Sequence, residues 1–438
     1  MSVKGLVEEI KEKTEKKEYW DFKGKDTRNH VHSMLKYPAV MVPNMQGEIF
    51  DIVLKHDNTI KNVIDPFMGS GTILVEGMIR GLDVYGIDIN PLSYLLVLAK
   101  TQHYSLKDLQ QKSKRLIERI LQDQDNTLFL FDGIKKWYND SIIEQLSKIR
   151  RCIIQEENIK YRRLFWVTFA EIAKQADNSR TSTFKLHIKE QEDIKNWDYN
   201  CLVKFKFKLF ENITAIKDFS VLVTAKKELV NVKYGDSLKV LSDRRIYKDS
   251  SFDLVITSPP YGDNATTITY GQYSILPLRW IPLSDIRKDL SDETINTLSK
   301  IDKESLGGHF YTVSEIINSN LYAYSNTFSA FYNRLVNEMQ IEKARKVASF
   351  LLDIEKIVSS LSRIVKKNKY MVFTVGNRQV NKEEVPFDEV LSEISEYYGF
   401  SVLYDFRRNI LKNKIYSDTK AQNFKTIKKE TIIVLRKE

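Results

Sequence analysis

Asn62-Val63-Ile64-Asp65-Pro66-Phe67-Met68-Gly69-Ser70-Gly71-Thr72 is the stretch on which the fold turns. Its first three residues have buried-strand character, the middle is a turn with two glycines, and the apolar-faced segment 73–79 follows as a helix. A second short strand, Val84-Tyr85-Gly86-Ile87, ends at Asp88, and Asn90-Pro91 opens another helix, proline being suited to a first turn. Strand, turn, helix, strand and acid make one βαβ unit, which predicts a parallel sheet with a right-handed crossover. The glycines let the backbone approach a bound group closely, and the helix beginning near Thr72 offers free N–H groups. Asp88 follows the glycines by about 20 residues, a position from which a carboxylate can bind ribose hydroxyls. The turn lacks the Lys-Ser/Thr ending of a phosphate loop, so a nucleoside cofactor without phosphates fits better than ATP.

Outward from this unit, strand signals return at 229–234, 252–256, 370–375, 400–404 and 431–435. Two other stretches interrupt the α/β pattern. In 105–227, Leu106, Leu109, Leu116, Ile117 and Ile120 fit one helix face, and Ile142, Leu146, Ile149 and Ile153 fit another, so this region reads as a mostly helical insertion. Within it, Val203-Lys204-Phe205-Lys206-Phe207-Lys208-Leu209 alternates like a strand, yet Leu202, Phe205, Leu209 and Ile213 also fit a helix, and periodicity leaves the two open. The second stretch, 262–343, reads as irregular and is rich in Asn, Ser, Thr and Tyr.

A second chemical signal, Thr257-Ser258-Pro259-Pro260-Tyr261, directly follows the apolar strand at 252–256. Consecutive prolines fix the backbone and remove two donors, leaving carbonyls to point into a cleft. A serine oxygen and such a carbonyl can grip an amino group between them while a planar base stacks on the tyrosine ring. As a rigid strand-to-loop turn alone the motif would mean little; its placement after the same kind of strand as the glycine turn gives it weight.

The remaining composition bounds the function. At 438 residues, 42% hydrophobic and 29% charged, the chain suits a large soluble core with insertions. No apolar run approaches the roughly 20 residues of a membrane span, and the charged opening lacks the apolar centre of a signal peptide, so the cytoplasm is the expected location. Cys152 and Cys201 form no disulfide framework or metal pattern, and His30 and His32 are expected on the polar surface, with no metal bound. The net charge of +10 suits an acidic polymer as partner.

Together, DPFMGSGT and a strand-ending SPPY resemble the amino-methyltransferases of DNA, which make N4-methylcytosine or N6-methyladenine. The resemblance covers about half of the chain and implies a Rossmann-like, seven-stranded, mostly parallel α/β sheet flanked by helices, with S-adenosylmethionine over the carboxyl ends of the strands. It implies Asp65, Phe67, Gly69, Gly71 and Thr72 as the cofactor loop, Asp88 as the ribose acid, Asp236 as the adenine-reading position, and Tyr37-Pro38 as part of the segment closing over the methionine. Thr374-Val375-Gly376-Asn377 is similar to the later motifs. Ser258, Pro259, Pro260 and Tyr261 would be catalytic, and a serine before Pro-Pro-Tyr is typical of the N4-cytosine enzymes. The long insertion between Asp88 and Asp236 departs from the compact family pattern.

The organisation this implies is an N-terminal arm at 1–36, a methyltransferase core at 37–104, 228–261 and 344–438, and insertions at 105–227 and 262–343 as candidate DNA-recognition regions. In the second, the stretch from Gly262 to Thr267 together with Tyr270, Gln272 and Tyr273 offers donors and acceptors for base edges or the target-base pocket. Arg407-Arg408 and 412–414 could hold phosphates, with a solvated charged face as the bland alternative. Double-stranded DNA is the expected partner, with a cognate restriction endonuclease implied by family habit. N6-adenine methylation would use the same residues. An RNA guanine-N2 methyltransferase usually carries Asn or Asp at the Ser258 position and an added amino-terminal domain. A non-catalytic DNA-binding subunit would not need intact motifs.

Overall fold

The computed structural model describes residues 3–180, 185–223, 229–262, 267–410 and 427–438. Seven strands form one sheet: β1 (Asn62–Asp65), β2 (Asp83–Asp88), β3 (Val230–Tyr234), β4 (Phe252–Thr257), β5 (Val365–Val375), β6 (Phe400–Asn409) and β7 (Lys429–Lys437). Their order is β3-β2-β1-β4-β5-β7-β6; neighbours among the first five run parallel, and β7 runs antiparallel to both β5 and β6. The Rossmann-like fold with a mostly parallel seven-stranded sheet is therefore present. Alternate residues along each strand serve opposite faces: Val63, Leu254, Val372 and Val434 belong to one core, and Ile64, Val255, Phe373 and Leu435 to the other.

The order reverses between β1 and β4, which pair in parallel with Ile64 opposite Val255. At such a switch point the loops leaving the two strands diverge and open a crevice at the carboxyl ends. Here those loops are the glycine turn and Ser258–Tyr261, about 190 residues apart in the chain and adjacent in space because their strands are neighbours.

Flanking helices are α1 (Val3–Thr14), α2 (Pro43–His56), α3 (Thr72–Ile79) and α4 (Pro91–Thr101). The first insertion supplies α5 (Leu106–Gln122), α6 (Asp140–Ile154), α7 (Ile159–Ala176) and α8 (Cys201–Leu222). The ambiguous run at 203–209 is helical: Cys201, Phe205, Leu209, Asn212, Ile216 and Phe219 are buried at helical spacing, whereas Phe207 and Phe210 face solvent. After β3 come α9 (Ser237–Ser242), α10 (Tyr270–Trp280), α11 (Lys300–Glu304), α12 (Asn326–Asn337), α13 (Ile341–Ile364) and α14 (Phe387–Tyr397). The stretch expected to be irregular is thus largely helical. Thr312, Ser319 and Ser325 each cap a short helix, so the Ser and Thr content that reads as loop is in part capping chemistry. Among the described residues no helix is long and apolar enough to cross a membrane.

The described part of the expected N-terminal arm, residues 3–36, packs on the core. Leu6, Ile10, Val31, Met34 and Leu35 are buried in the main core, and Trp20 packs on Phe406 with ring centroids 4.5 Å apart. The expectation of surface histidines is also corrected. His32 is buried, with Nε2 3.1 Å from Glu76 Oε1, because the turn at 30–33 faces α3. Arg80 donates to the same carboxylate at 2.8 Å and balances its charge, while burial lowers the His32 pKa and makes the imidazole contact a hydrogen bond.

Candidate active site

Asp65 ends β1 completely buried, and its Oδ1 accepts from Thr257 Oγ1 at 2.6 Å and from the Phe67 N–H at 3.0 Å. The carboxyl therefore clasps the end of β4 to the glycine turn. Its other oxygen has no partner, and burial raises its pKa to about 7. Asp65 is not among the residues that line the cleft; it ties the two motifs together from behind. Gly71 does not line the cleft either. It adopts φ 78°, and a Cβ there would lie 2.8 Å from Val97 Cγ2, so helix packing on α4 demands the glycine.

Gly69, at φ 46°, does line the cleft, and its N–H donates to Asp88 Oδ2 at 2.9 Å. Asp88 Oδ1 accepts from the Asn90 N–H at 2.8 Å, and burial pushes this carboxyl above its usual range against the pull of those bonds. Phe67, Thr72, Tyr37, Pro38 and Asp236 line the same cleft, as does Ser70. Asp236 caps α9 through Oδ1, which accepts from the Leu238 N–H at 2.9 Å. The wall holding Tyr37 is fastened from three sides. Asn90 Nδ2 donates to Tyr37 Oη at 3.0 Å, Tyr37 stacks on Tyr270 at 6.0 Å, and Glu171 of α7 accepts from the Lys36 N–H at 2.8 Å. Tyr273 Oη donates to the Lys36 carbonyl. These contacts hold Ala39 at φ 44°, a conformation side-chain-bearing residues rarely adopt.

From the second motif, Ser258 and Pro260 line the cleft, whereas Pro259 and Tyr261 are not among its lining residues. Tyr261 donates to Glu430 Oε1 at 2.9 Å, and Ser258 Oγ stands 3.4 Å from the tyrosine oxygen. Glu430 in turn faces the buried Arg408 at 3.5 Å. A Cβ at Gly376 would sit 2.7 Å from the Tyr261 ring, so this glycine makes room for it.

Of the residues expected to contact DNA, Tyr270 lines the cleft with Ser258, and several are engaged within the protein. Tyr270 and Tyr273 support the Tyr37 wall, and Gln272 Oε1 accepts from the Leu186 N–H at 3.3 Å. Arg408 is only 3% exposed and pairs with Glu430, which removes it from the surface; Arg407 is exposed and pairs with Asp388 at 3.3 Å. Residues 263–266 and 412–414 lie outside the described residues. The cleft also holds Ile301, Glu304, Ser305 and Leu306, which the sequence reading missed, since no local pattern marks a segment brought to Gly69 and Asp88 from over 200 residues away. Asn90 was readable only as a helix opener; its second role as the fastener of Tyr37 is tertiary.

A nucleoside-sized ligand fits these residues: close backbone approach at Gly69, two carboxylates at successive strand ends, and no lysine in the turn. No family model matches the chain. The Type II methyltransferase M.MvaI of Kocuria varians is 31% identical over 437 residues, covering 95% of this chain and 92% of the relative. M.BsoBI of Geobacillus stearothermophilus, also a Type II methyltransferase, is 23% identical over 84% of this chain and 78% of its own length. A tRNA (guanine(10)-N2)-dimethyltransferase of Pyrococcus abyssi is similar over only 90 residues, at 29% identity, covering 20% of this chain and 26% of that protein. With a relative of that identity matched along nearly its whole length, and with the glycine turn and Ser258–Tyr261 on neighbouring strands, the chain belongs to the Type II DNA methyltransferases.

Proposed function

We propose that this DNA methyltransferase methylates the N4 amino group of cytosine, flipped out of double-stranded DNA, using S-adenosylmethionine as donor. One observation carries the reading: Ser258 and Pro260 face the same cleft as Gly69, Asp88 and Asp236. A group held by the first motif and a base held by the second would therefore meet. Asp88, Asp236, Gly69 and Phe67 would hold the nucleoside part of the donor, and Tyr37-Pro38 would cover its methionine part. When bound, S-adenosylmethionine supplies a sulfonium methyl open to direct displacement by an amino nitrogen.

The chain's own residues prepare that nitrogen, whose lone pair is delocalised into the ring. With Tyr261 donating to Glu430 and Ser258 directed at Tyr261, the serine oxygen keeps its lone pairs for an amino N–H. A second N–H bond to the Pro259 carbonyl would favour a pyramidal nitrogen with its lone pair aimed at the methyl. Tyr261, set against Gly376 on one side, would stack on the base with the other, worth about 1–3 kcal/mol. Exposed parts of 105–227 and 262–343 would read the DNA, helped by the net charge of +10. A cognate endonuclease and a cytoplasmic setting complete the reading as a restriction–modification enzyme.

The test is a nucleoside mass spectrum of DNA incubated with the protein and S-adenosylmethionine. N4-methylcytosine is expected, falling about 100-fold in Ser258→Ala, the scale of losing one preorganised polar contact. N6-methyladenine would overturn the base assignment while retaining the site, and label found in tRNA alone would overturn DNA as substrate.

A further inference from the structure

Residues 299–311 run along the cleft from the side of Tyr270 as a strap clamped at both ends. At one end Asp302, 4% exposed, accepts from the Gly271 N–H at 2.8 Å and the Gln272 N–H at 3.1 Å, tying α11 to the start of α10. At the other end Asp353 of α13 accepts from the Gly307 N–H at 2.9 Å and from Tyr311 Oη at 3.1 Å. Ser349 accepts from the Tyr311 N–H at 3.0 Å, and Arg345 donates to the Tyr311 carbonyl at 3.1 Å. Between the clamps, Ile301, Glu304, Ser305 and Leu306 face into the cleft with Asp88 and Asp236. Leu306 packs on the core that contains Val240 and Leu241 of α9, the helix that Asp236 caps. Burial pushes the Tyr234 phenol at the end of β3 up to about 12, and nearby Glu304 adds to the rise.

We propose that this strap is part of the donor site and grips the adenosine half of S-adenosylmethionine, so that Glu304 is a hydrogen-bond acceptor for adenosine and Leu306 an apolar wall for its base. The proposal rests on the assignment of the cleft to that donor. A cleft floor made only of strand ends leaves one side of a nucleoside open to water; the strap supplies the missing side with one carboxylate, one hydroxyl and two apolar groups. Fixed anchors at Asp302 and Asp353 mean that ligand binding does not bear the cost of ordering it. Part of the second insertion thereby belongs to the cofactor site and not to DNA recognition.

Calorimetric titration of the full chain with S-adenosylmethionine, and separately with adenosine, tests this without turnover. Glu304 is exposed, so Glu304→Gln should leave the fold intact; it should weaken both ligands by a similar factor, about 5–20-fold. Leu306→Ala should do the same, and neither should alter the affinity for DNA measured by gel shift without donor. Weakened S-adenosylmethionine with unchanged adenosine would overturn the proposal by placing the strap at the methionine end. Weakened DNA binding with unchanged donor binding would overturn it in favour of a DNA-reading strap. A wild-type chain that binds neither ligand would instead overturn the assignment of the cleft itself.

Discussion

The two insertions differ in what they hold. The first, 105–227, is long amphipathic helices, and it buttresses. Its Trp166 Nε1 donates to Asp285 Oδ2 at 2.8 Å, Arg150 donates to the Trp280 carbonyl at 2.8 Å, and Arg163 donates to the Asp285 carbonyl at 2.9 Å. Phe129, Phe131, Tyr138 and Phe169 surround Trp280 with centroids 5.5–6.0 Å away. The second, 262–343, is short capped helices, and it walls the cleft through Tyr270, Ile301 and the strap. Regularity thus went to the scaffold and irregularity to the site, because a cleft wall needs side chains at particular points in space while a buttress needs only buried area.

The largest expected effect sharpens this division. Trp166→Ala removes a completely buried indole and one of the partners of Asp285, leaving Arg162 on its other oxygen, which should cost about 3–5 kcal/mol in a urea denaturation. Under conditions where the variant stays folded, binding of S-adenosylmethionine should weaken several-fold; unchanged binding would separate the buttress from the wall. Next is the clasp between the motifs. Asp65 holds its proton to about pH 7 when folded, against an ordinary value of 3.8. Its contribution to stability is therefore fully present below about pH 4 and is lost as the pH rises to about 7. At about 1.4 kcal/mol per unit, the span is no more than about 4 kcal/mol, and Asp65→Asn should flatten that part of the stability–pH curve.

Smaller is Tyr273→Phe, which leaves the Lys36 carbonyl without its donor. A cost of about 1–2 kcal/mol should appear as weaker donor binding with little change in melting temperature, if the wall and the core are energetically distinct. The smallest effect is expected at Phe210 of α8, 72% exposed on the outer side of the buttress. Phe210→Ser should change stability by less than about 0.5 kcal/mol and donor affinity not at all; a loss of DNA affinity there would instead give the first insertion a recognition role.

The sequence by itself determined the βαβ unit, the seven strands, the helical first insertion and the two motifs, because each is written in local periodicity and turn chemistry. It also placed Phe67, Gly69, Thr72, Asp88, Asp236, Ser258 and Pro260 at one site, since residues at the carboxyl ends of parallel strands share a crevice wherever the strands pair. Only the tertiary structure decided that Asp65 and Gly71 sit behind the loop, that His32 is buried, and that Tyr270 and Tyr273 support the Tyr37 wall. It alone brought 301–306 to the cleft. Those outcomes depend on which distant segment arrives opposite a given side chain. A local pattern carries no record of that, because burial and hydrogen-bond partners are properties of the assembled fold.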